Sequence, residues 1–331
     1  MNPNFSSLFS TQAMPSLLSP GGEADNDMLG LTPFIEWLSA NREQIDAHLN
    51  IAGVLLIRGF SVYTAQSFRE VCAAICPSLR NYTGGDSPRT GIVDKVYTST
   101  EYSAELEVLL HNELSYAGWS PDRVFFGCLQ PSETGGETHL ADGRRLYRML
   151  DDGVRSRFEE RGVTYLQHLW DVDGAPGVGK SWQETFETTE KKQAEKYLEK
   201  SGMAFEWTDL GLRTAATKPG VRVHSITGEK CWHNQADQWH RDMVSVKDSV
   251  GLDSGDECKS ATGEASLGNH AVYGDGSEIE VADLEHIREV SRQCEVAFPW
   301  QRGDVMVIDN VLSMHGRKPF SGKRQVVVSM A

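Results

Sequence analysis

His111 and Glu113 stand two residues apart in VLLHNELSYAGWSPDRVFFGC. On an extended strand, side chains two apart share one face, so this imidazole and this carboxylate can converge on a single point. A second histidine from elsewhere in the chain would complete a metal-binding set, and His315 in VMVIDNVLSMHGRKPF is the candidate. Two histidines and one carboxylate with open coordination positions are what non-haem Fe(II) oxygenases use. Each half also has a plainer reading. A His-x-Glu pair suits a surface strand with two polar residues facing water, and a histidine just past a core strand is often only hydrogen-bonded. The apolar VLL before the pair and the GWSP turn after it favour a strand end that opens into a cleft.

Arg324 begins the strand-like RQVVVSM. A guanidinium entering an apolar strand carries a desolvation cost unless it meets an anion, and its planar fork suits a carboxylate. It could equally be a surface arginine at a sheet edge. If 2-oxoglutarate chelated an iron here, its far carboxylate would need such a partner. Thr138 in GGETHL adds a hydroxyl donor, and Gly135 and Gly136 let the backbone come close. Two other constellations compete. His233, Asp237 and His240 in WHNQADQWH would share one helical face, although Trp232, Asn234 and Gln235 read better as a pocket lining of aromatic and amide groups. GAPGVGKS, Gly174 to Ser181, matches the phosphate-loop pattern of a nucleotide hydrolase, but YLQHLWDVD before it is polar where a buried strand is needed.

The elements that must carry these residues are readable from periodicity. Residues 1–28, rich in Ser, Pro, Gly and Asn, read as a flexible N-terminal arm. LTPFIEWLSANREQIDAHLN has helical spacing with Thr32 as its cap, AGVLLIRGF is a buried strand, and AQSFREVCAAICPSL is a helix stopped by Pro77. Cys72 and Cys76 share a face of that helix and read as core, not as metal ligands. Farther on, residues about 171–206 form a helical insertion, charge-rich in its second half, and about 251–268 a surface loop. IEVADLEHIREVSRQC is a helix, and FPWQRGDVMVIDN and RQVVVSM lead into strands. Strands dominate the second half without internal repeats. This favours a β-sandwich or barrel with outer helices over a doubly wound sheet, with residues 29–331 as one domain.

With 331 residues, 39% hydrophobic and 24% charged, the chain can build a large core and is too apolar for disorder. Its net charge of -15 argues against a nucleic-acid or anionic-membrane partner. Six cysteines without CxxC spacing read as reduced thiols of a cytoplasmic protein. Neither a signal peptide nor a membrane span stands out.

With those residues in hand, the chain resembles the taurine catabolism dioxygenase superfamily of Fe(II)- and 2-oxoglutarate-dependent oxygenases. The branch is that of the syringomycin-pathway hydroxylase and the plant clavaminate-synthase-like proteins. The resemblance runs through GVLLIRGF, SPRTGIVDKVYTSTEY, LLHNELSY, FFGCLQPSETGGETHLAD, TGEKCWHNQ, YGDGSEI, WQRGDVMVIDN and MHGRKPFSGKRQVVVSMA, about residues 50–331. It implies an α+β fold with a mainly β core, a distorted double-stranded β-helix (jelly roll) with flanking helices. It also implies Fe(II) on His111, Glu113 and His315, with Thr138 and Arg324 holding the distal carboxylate of 2-oxoglutarate. Glu113 lies where many relatives carry aspartate. Related halogenases carry a small residue there so that chloride can bind, so the carboxylate points to oxygenation. His233 departs from the phenylalanine common in a WFNQ-like stretch of relatives. The implied activity is O2-dependent hydroxylation of an unactivated C–H bond, with desaturation or cyclisation as variants. The implied substrate is an amino acid or amino-acid-like acid of specialised metabolism, free or tethered to a peptidyl carrier protein. Arg89, Tyr97, Asn234 and Arg317 are its candidate contacts. Readings of another class are the phosphate-loop hydrolase and a non-catalytic β-barrel binding module.

Overall fold

Three unbroken apolar runs decide the architecture. Val54–Ile57, Val305–Asp309 and Gln325–Met330 are strands of one sheet. Successive strand side chains point to opposite faces, so a strand apolar at every position needs cover on both. The computed structural model, which describes residues 3–10, 12–21, 30–174, 179–243 and 268–331, has that arrangement. Its eight-stranded sheet runs in the order Pro3–Phe9, Gln12–Pro20, Val54–Ile57, Val305–Asp309, Arg123–Gln130, Gln325–Met330, Val96–Thr98 and Gly91–Val93.

Alternate residues of the central strands enter different cores. Leu55, Ile57, Phe125, Val305, Val307 and Val327 pack with Phe34, Leu38, Ile45, Leu49, Phe68 and Val71. The last six come from helices Leu31–Ala40, Arg42–Ala52 and Ala65–Ile75. Leu56, Phe126, Met306, Ile308, Val326 and Val328 face the other way, toward Leu110, Leu140 and Met314. Those three belong to a three-stranded sheet of Val108–His111, Ser313–Arg317 and Leu140–Asp142. The two facing sheets and the helices outside them are the distorted double-stranded β-helix. A further antiparallel sheet of Ala204–Thr208, Gly211–Lys218, Val163–Trp170 and His270–Tyr273 stands beside it. Helices Trp182–Phe186 and Lys191–Lys200, from the expected insertion, lay Trp182, Phe186, Ala194 and Leu198 against Leu169 and Leu212 of that sheet. Of the expected loop at about 251–268, only Gly268 falls within the described residues. Among the described residues, no helix is long and apolar enough to cross a membrane.

Three local expectations need correction. The helix read from residue 31 to 49 is two helices, broken at Asn41, whose side-chain amide donates to Trp37 O at 2.7 Å. Its N-cap is Gly30 and not Thr32, which lies inside the first turn. The expected flexible arm is, over residues 3–20, a β-hairpin. Its second strand runs parallel to Val54–Ile57, with Leu18 opposite Ile57, and buries Leu18 completely. The hairpin covers the edge of the most apolar strand, which would otherwise be open to pairing with another chain. Replacing Leu18 by alanine is therefore expected to cost about 2–5 kcal/mol of stability, as for other core truncations. The measurement is the urea midpoint; a change below about 0.5 kcal/mol, the size seen at ordinary surface sites, would return this segment to the status of an arm.

Candidate active site

The site begins with a cross-strand pair. Val108–His111 and Ser313–Arg317 run antiparallel with His111 opposite His315, and side chains directly opposite each other are close neighbours. Their ring centroids are 4.5 Å apart. Past this pair the register shifts, so that Arg317 faces Val108. Gly316 permits the shift, because a Cβ there would sit 2.1 Å from His139 Nε2 and 2.3 Å from Val108 O. Glu113, just beyond the strand end, points between the two rings. Its Oε2 lies 3.4 Å from His315 Nε2 and 3.9 Å from His111 Nε2.

Glu113 is held by its backbone. Its N–H donates to Asn310 Oδ1 at 2.7 Å, and the Asn310 amide donates back to Glu113 O at 3.0 Å and to Pro121 O at 2.9 Å. Asn112 answers with bonds to Asn310 O (2.8 Å) and Ser313 O (3.1 Å). Gln235 Nε2 in turn donates to Asn112 O and Ser115 Oγ. The turn carrying Asn310 is itself fixed by Asp309, whose Oδ1 accepts from the backbone of Val311 and Leu312 and whose Oδ2 pairs with Arg123 and His224. Neither Asn112 nor Asn310 was foreseen as a site residue, although the first lies between two that were and the second follows the turn-marking Asp309; Gln235 was read only as part of a pocket lining.

The donor set fits a divalent metal ion. His111 Nδ1–H donates to Leu109 O at 2.8 Å, which leaves the Nε2 lone pair facing Glu113. Both ring nitrogens of the buried His315 lack a partner among the described residues. Burial, helped by the neighbouring His111, holds the His315 pKa down to about 4, so the ring is neutral and able to ligate. Burial works against the charge of Glu113, but Arg89 and the two imidazoles outweigh it and keep its pKa well below the usual carboxylate range.

Other histidine clusters fail the same test. His240, His270 and Glu278 come together, but His240 Nδ1 accepts from Asp242 N and His270 Nδ1 from Arg241 N. Their protons therefore sit on Nε2, where that of His270 donates to Glu278 Oε2 at 3.1 Å and that of His240 lies on a nitrogen 3.6 Å from the same oxygen. In the cluster of Glu107, His139 and Glu295, Lys318 bridges the two carboxylates. The competing set of His233, Asp237 and His240 does not form, because the helix there is only Ala236–Trp239. Asp237 pairs with Arg288, and His240 turns to His270.

Thr138 is buried and its Oγ1 accepts from Trp300 Nε1 at 3.2 Å. Among the described residues Arg324 hydrogen-bonds only neutral partners, Gly136 O at 3.0 Å and Ser99 Oγ at 3.1 Å. Burial, together with nearby Arg317, presses its pKa down to about 10. Such a cation is completed by an anionic ligand.

The candidate substrate contacts separate. Arg89 Nη2 bonds both oxygens of Glu113, at 3.1 and 2.9 Å. Tyr97 OH accepts from Tyr82 N. Asn234 uses its amide on Gly220 O and its carbonyl on Ala236 N. Arg317 donates to the carbonyls of Thr100, Tyr102, Ser103 and Leu106. Asn234 and Arg317 thus donate to backbone carbonyls, with Arg317 Nε left without a partner among the described residues. In the phosphate-loop match, whose residues 175–178 lie outside the described set, Lys180 donates to Gly85 O and lies over the Tyr82 ring. Ser181 closes a capping box with Glu184. Lysine and hydroxyl are both engaged elsewhere than a phosphate cradle requires.

His233 is buried, and its Nε2 has no partner among the described residues. Burial drives its pKa from 6.5 to about 3. The folded value lies below the unfolded one, so this ring's contribution to stability is complete above about 6.5 and is lost as pH falls toward about 3. Urea midpoints measured across that window should fall less steeply for His233→Phe than for the wild type. Parallel slopes would show that the ring is not the titrating group.

Comparison with known proteins agrees with this geometry. The sequence profile described as "Taurine catabolism dioxygenase TauD, TfdA family" matches residues 19–330. The dapdiamide synthesis protein DdaC of Enterobacter agglomerans is 34% identical over 287 residues, 86% of this chain and 84% of that one. A clavaminate synthase-like protein of Arabidopsis thaliana is 30% identical over 97% of this chain and 94% of that one. Among solved structures, AAD-2 in complex with Mn(II) and N-oxalylglycine shares the fold, with a TM-score of 0.54, 13% identity, and coverage of 100% of this chain and 97% of that one. The chain belongs to the taurine catabolism dioxygenase TauD, TfdA family, and is a dioxygenase of the Fe(II)- and 2-oxoglutarate-dependent class.

Proposed function

We propose that the protein hydroxylates an unactivated C–H bond of an amino acid or amino-acid-like acid, with His111, Glu113 and His315 as the iron ligands and Thr138 and Arg324 as the anchor of 2-oxoglutarate. The observation that carries this reading is the pair of opposed imidazoles with Nε2 free, converging with Glu113 so that the three ligand atoms lie within 4.8 Å of one another. Relatives named for dapdiamide synthesis and for likeness to clavaminate synthase support a role in specialised metabolism.

Bound iron, 2-oxoglutarate and dioxygen would supply the oxidising power, with 2-oxoglutarate decarboxylated to succinate as one oxygen atom enters the substrate. The chain's own residues do the positioning. His111, Glu113 and His315 would supply three ligands and leave the remaining positions to cosubstrate and oxygen. Glu113 contributes one negative charge and also occupies the place that a halide would need. Asn310 and Asn112 keep that carboxylate from drifting by binding its backbone and not its oxygens, which stay available to the metal. Arg324 offers its unpaired charge to the far carboxylate, and Trp300 orients the Thr138 hydroxyl beside it.

Anaerobic addition of Fe(II) and 2-oxoglutarate is expected to give the weak visible band of a chelated site. Glu113→Ala should abolish both the band and substrate-dependent succinate release. Arg324→Gln should raise the 2-oxoglutarate concentration needed for half-maximal band by at least about tenfold, the loss of one charge-assisted pair. A band that survives intact in both Glu113→Ala and His315→Ala would sink the assignment of the ligands.

A further inference from the structure

Arg89 has capacity that Glu113 does not use. Its side chain is 2% exposed, and only Nη2 reaches the carboxylate. Nε and Nη1 have no hydrogen-bond partner among the described residues. Buried guanidinium donors are rarely left unmade, because each unmet donor forfeits its hydration without return. One face of the guanidinium is covered by the Tyr82 ring, 4.5 Å from Cζ, so anything that completes it must approach in the plane of the remaining donors. Those donors lie on the same group that touches Glu113, and so beside the triad and not at a remote surface.

The charges at the site point to the kind of group that belongs there. Arg89 and Arg324 bring two positive charges, and a divalent metal two more. Glu113 and the two carboxylates of 2-oxoglutarate return three negative ones. A positive charge is left over, in surroundings where uncompensated charge is costly. Resting on the functional reading above, we propose that Arg89 binds the carboxylate of the substrate through Nη1, the terminal nitrogen that Glu113 leaves open, and hence that the protein acts on a free acid and not on a carrier-bound acyl thioester. Once its carboxyl is esterified to a carrier thiol, an aminoacyl group has no anion to give Arg89, and its neutral carbonyl leaves the positive charge unbalanced. A group whose only purpose was to orient Glu113 would need Nη2 alone, and burying the other donors would bring nothing.

The test uses the anaerobic enzyme loaded with Fe(II) and 2-oxoglutarate, and reads perturbation of its visible band as binding. Acetate, glycine and the proteinogenic L-amino acids are titrated beside their carboxamides and their N-acetylcysteamine thioesters. At least one acid should bind at least about tenfold more tightly than both its amide and its thioester, the value of a charge-assisted contact. In Arg89→Lys, which keeps a cation but loses the planar guanidinium, the preference for that acid over its amide should fall by a similar factor, read at Fe(II) and 2-oxoglutarate concentrations raised until the band is saturated. Thioesters or amides binding as well as acids would overturn the proposal, as would an acid affinity unchanged in Arg89→Lys or a wild-type band that no carboxylate perturbs. If Arg89→Lys weakens metal binding but leaves the preference for acids intact, Arg89 is a positioning residue for Glu113 and the proposal falls. Failure of the wild-type band to form at all would instead defeat the functional reading on which the proposal stands.

Discussion

The register between Val108–His111 and Ser313–Arg317 is the constraint on which the site depends. A slip of one residue would send His315 to the opposite face of its strand and dissolve the triad, because side chains alternate with a period of two. Apolar burial alone would not hold this register, since Met314 and Leu110 could find hydrophobic neighbours in more than one alignment. Two polar devices fix it. The amides of Asn112 and Asn310 exchange bonds across the strand ends, and Gly316 allows a close approach that any side chain would block. Because the amides are fully buried, breaking their pattern leaves donors and acceptors unsatisfied, and the alternatives are penalised as much as the native pairing is favoured.

The two arginines of the site show opposite solutions to burying a cation. Arg89 has its anion in the protein, and the pair holds Glu113 ionised despite complete burial. Arg324 has none among the described residues, of which only a carbonyl and a hydroxyl accept from it. Glu113 engages only Nη2 of the first, whereas the second meets no anion among the described residues, so both keep donors that a visiting carboxylate would satisfy. Asp309 applies the first solution to a structural end, since its paired carboxylate shapes the turn from which Asn310 reaches Glu113.

How much of this was legible in the sequence depended on whether a residue acts through its type or through its surroundings. Runs such as VLLI and VMVI announce strands covered on both faces, because no other element buries consecutive apolar residues so economically. The convergence of His111, Glu113 and His315 was legible as that of a candidate set, because metal chemistry restricts ligands to a few side chains. Asn234 and Arg317 were less legible, because amides and guanidiniums serve backbone carbonyls as readily as substrates, and the sequence does not show which carbonyls the fold brings near. The N-terminal hairpin was hidden by its composition. Its serines and prolines suggest looseness, whereas the alternation of Met14, Ser16 and Leu18 on the buried side becomes meaningful only once an edge strand is there to receive it.

The closure of the sheet also dictates an order of assembly. Val54–Ile57 has its central neighbour in Val305–Asp309, and Glu113 finds Asn310 across 197 residues of chain. Such long loops close slowly, and they cannot close at all before the last strands have left the ribosome. For most of synthesis, then, the His111–Glu113 half of the site exists without its counterpart. Under the proposed ligand set, metal affinity would arise only when Ser313–Arg317 docks against Val108–His111, and from that moment metal binding would add its own free energy to the folded state. In this protein the iron centre would serve as a latch that registers completion of the fold.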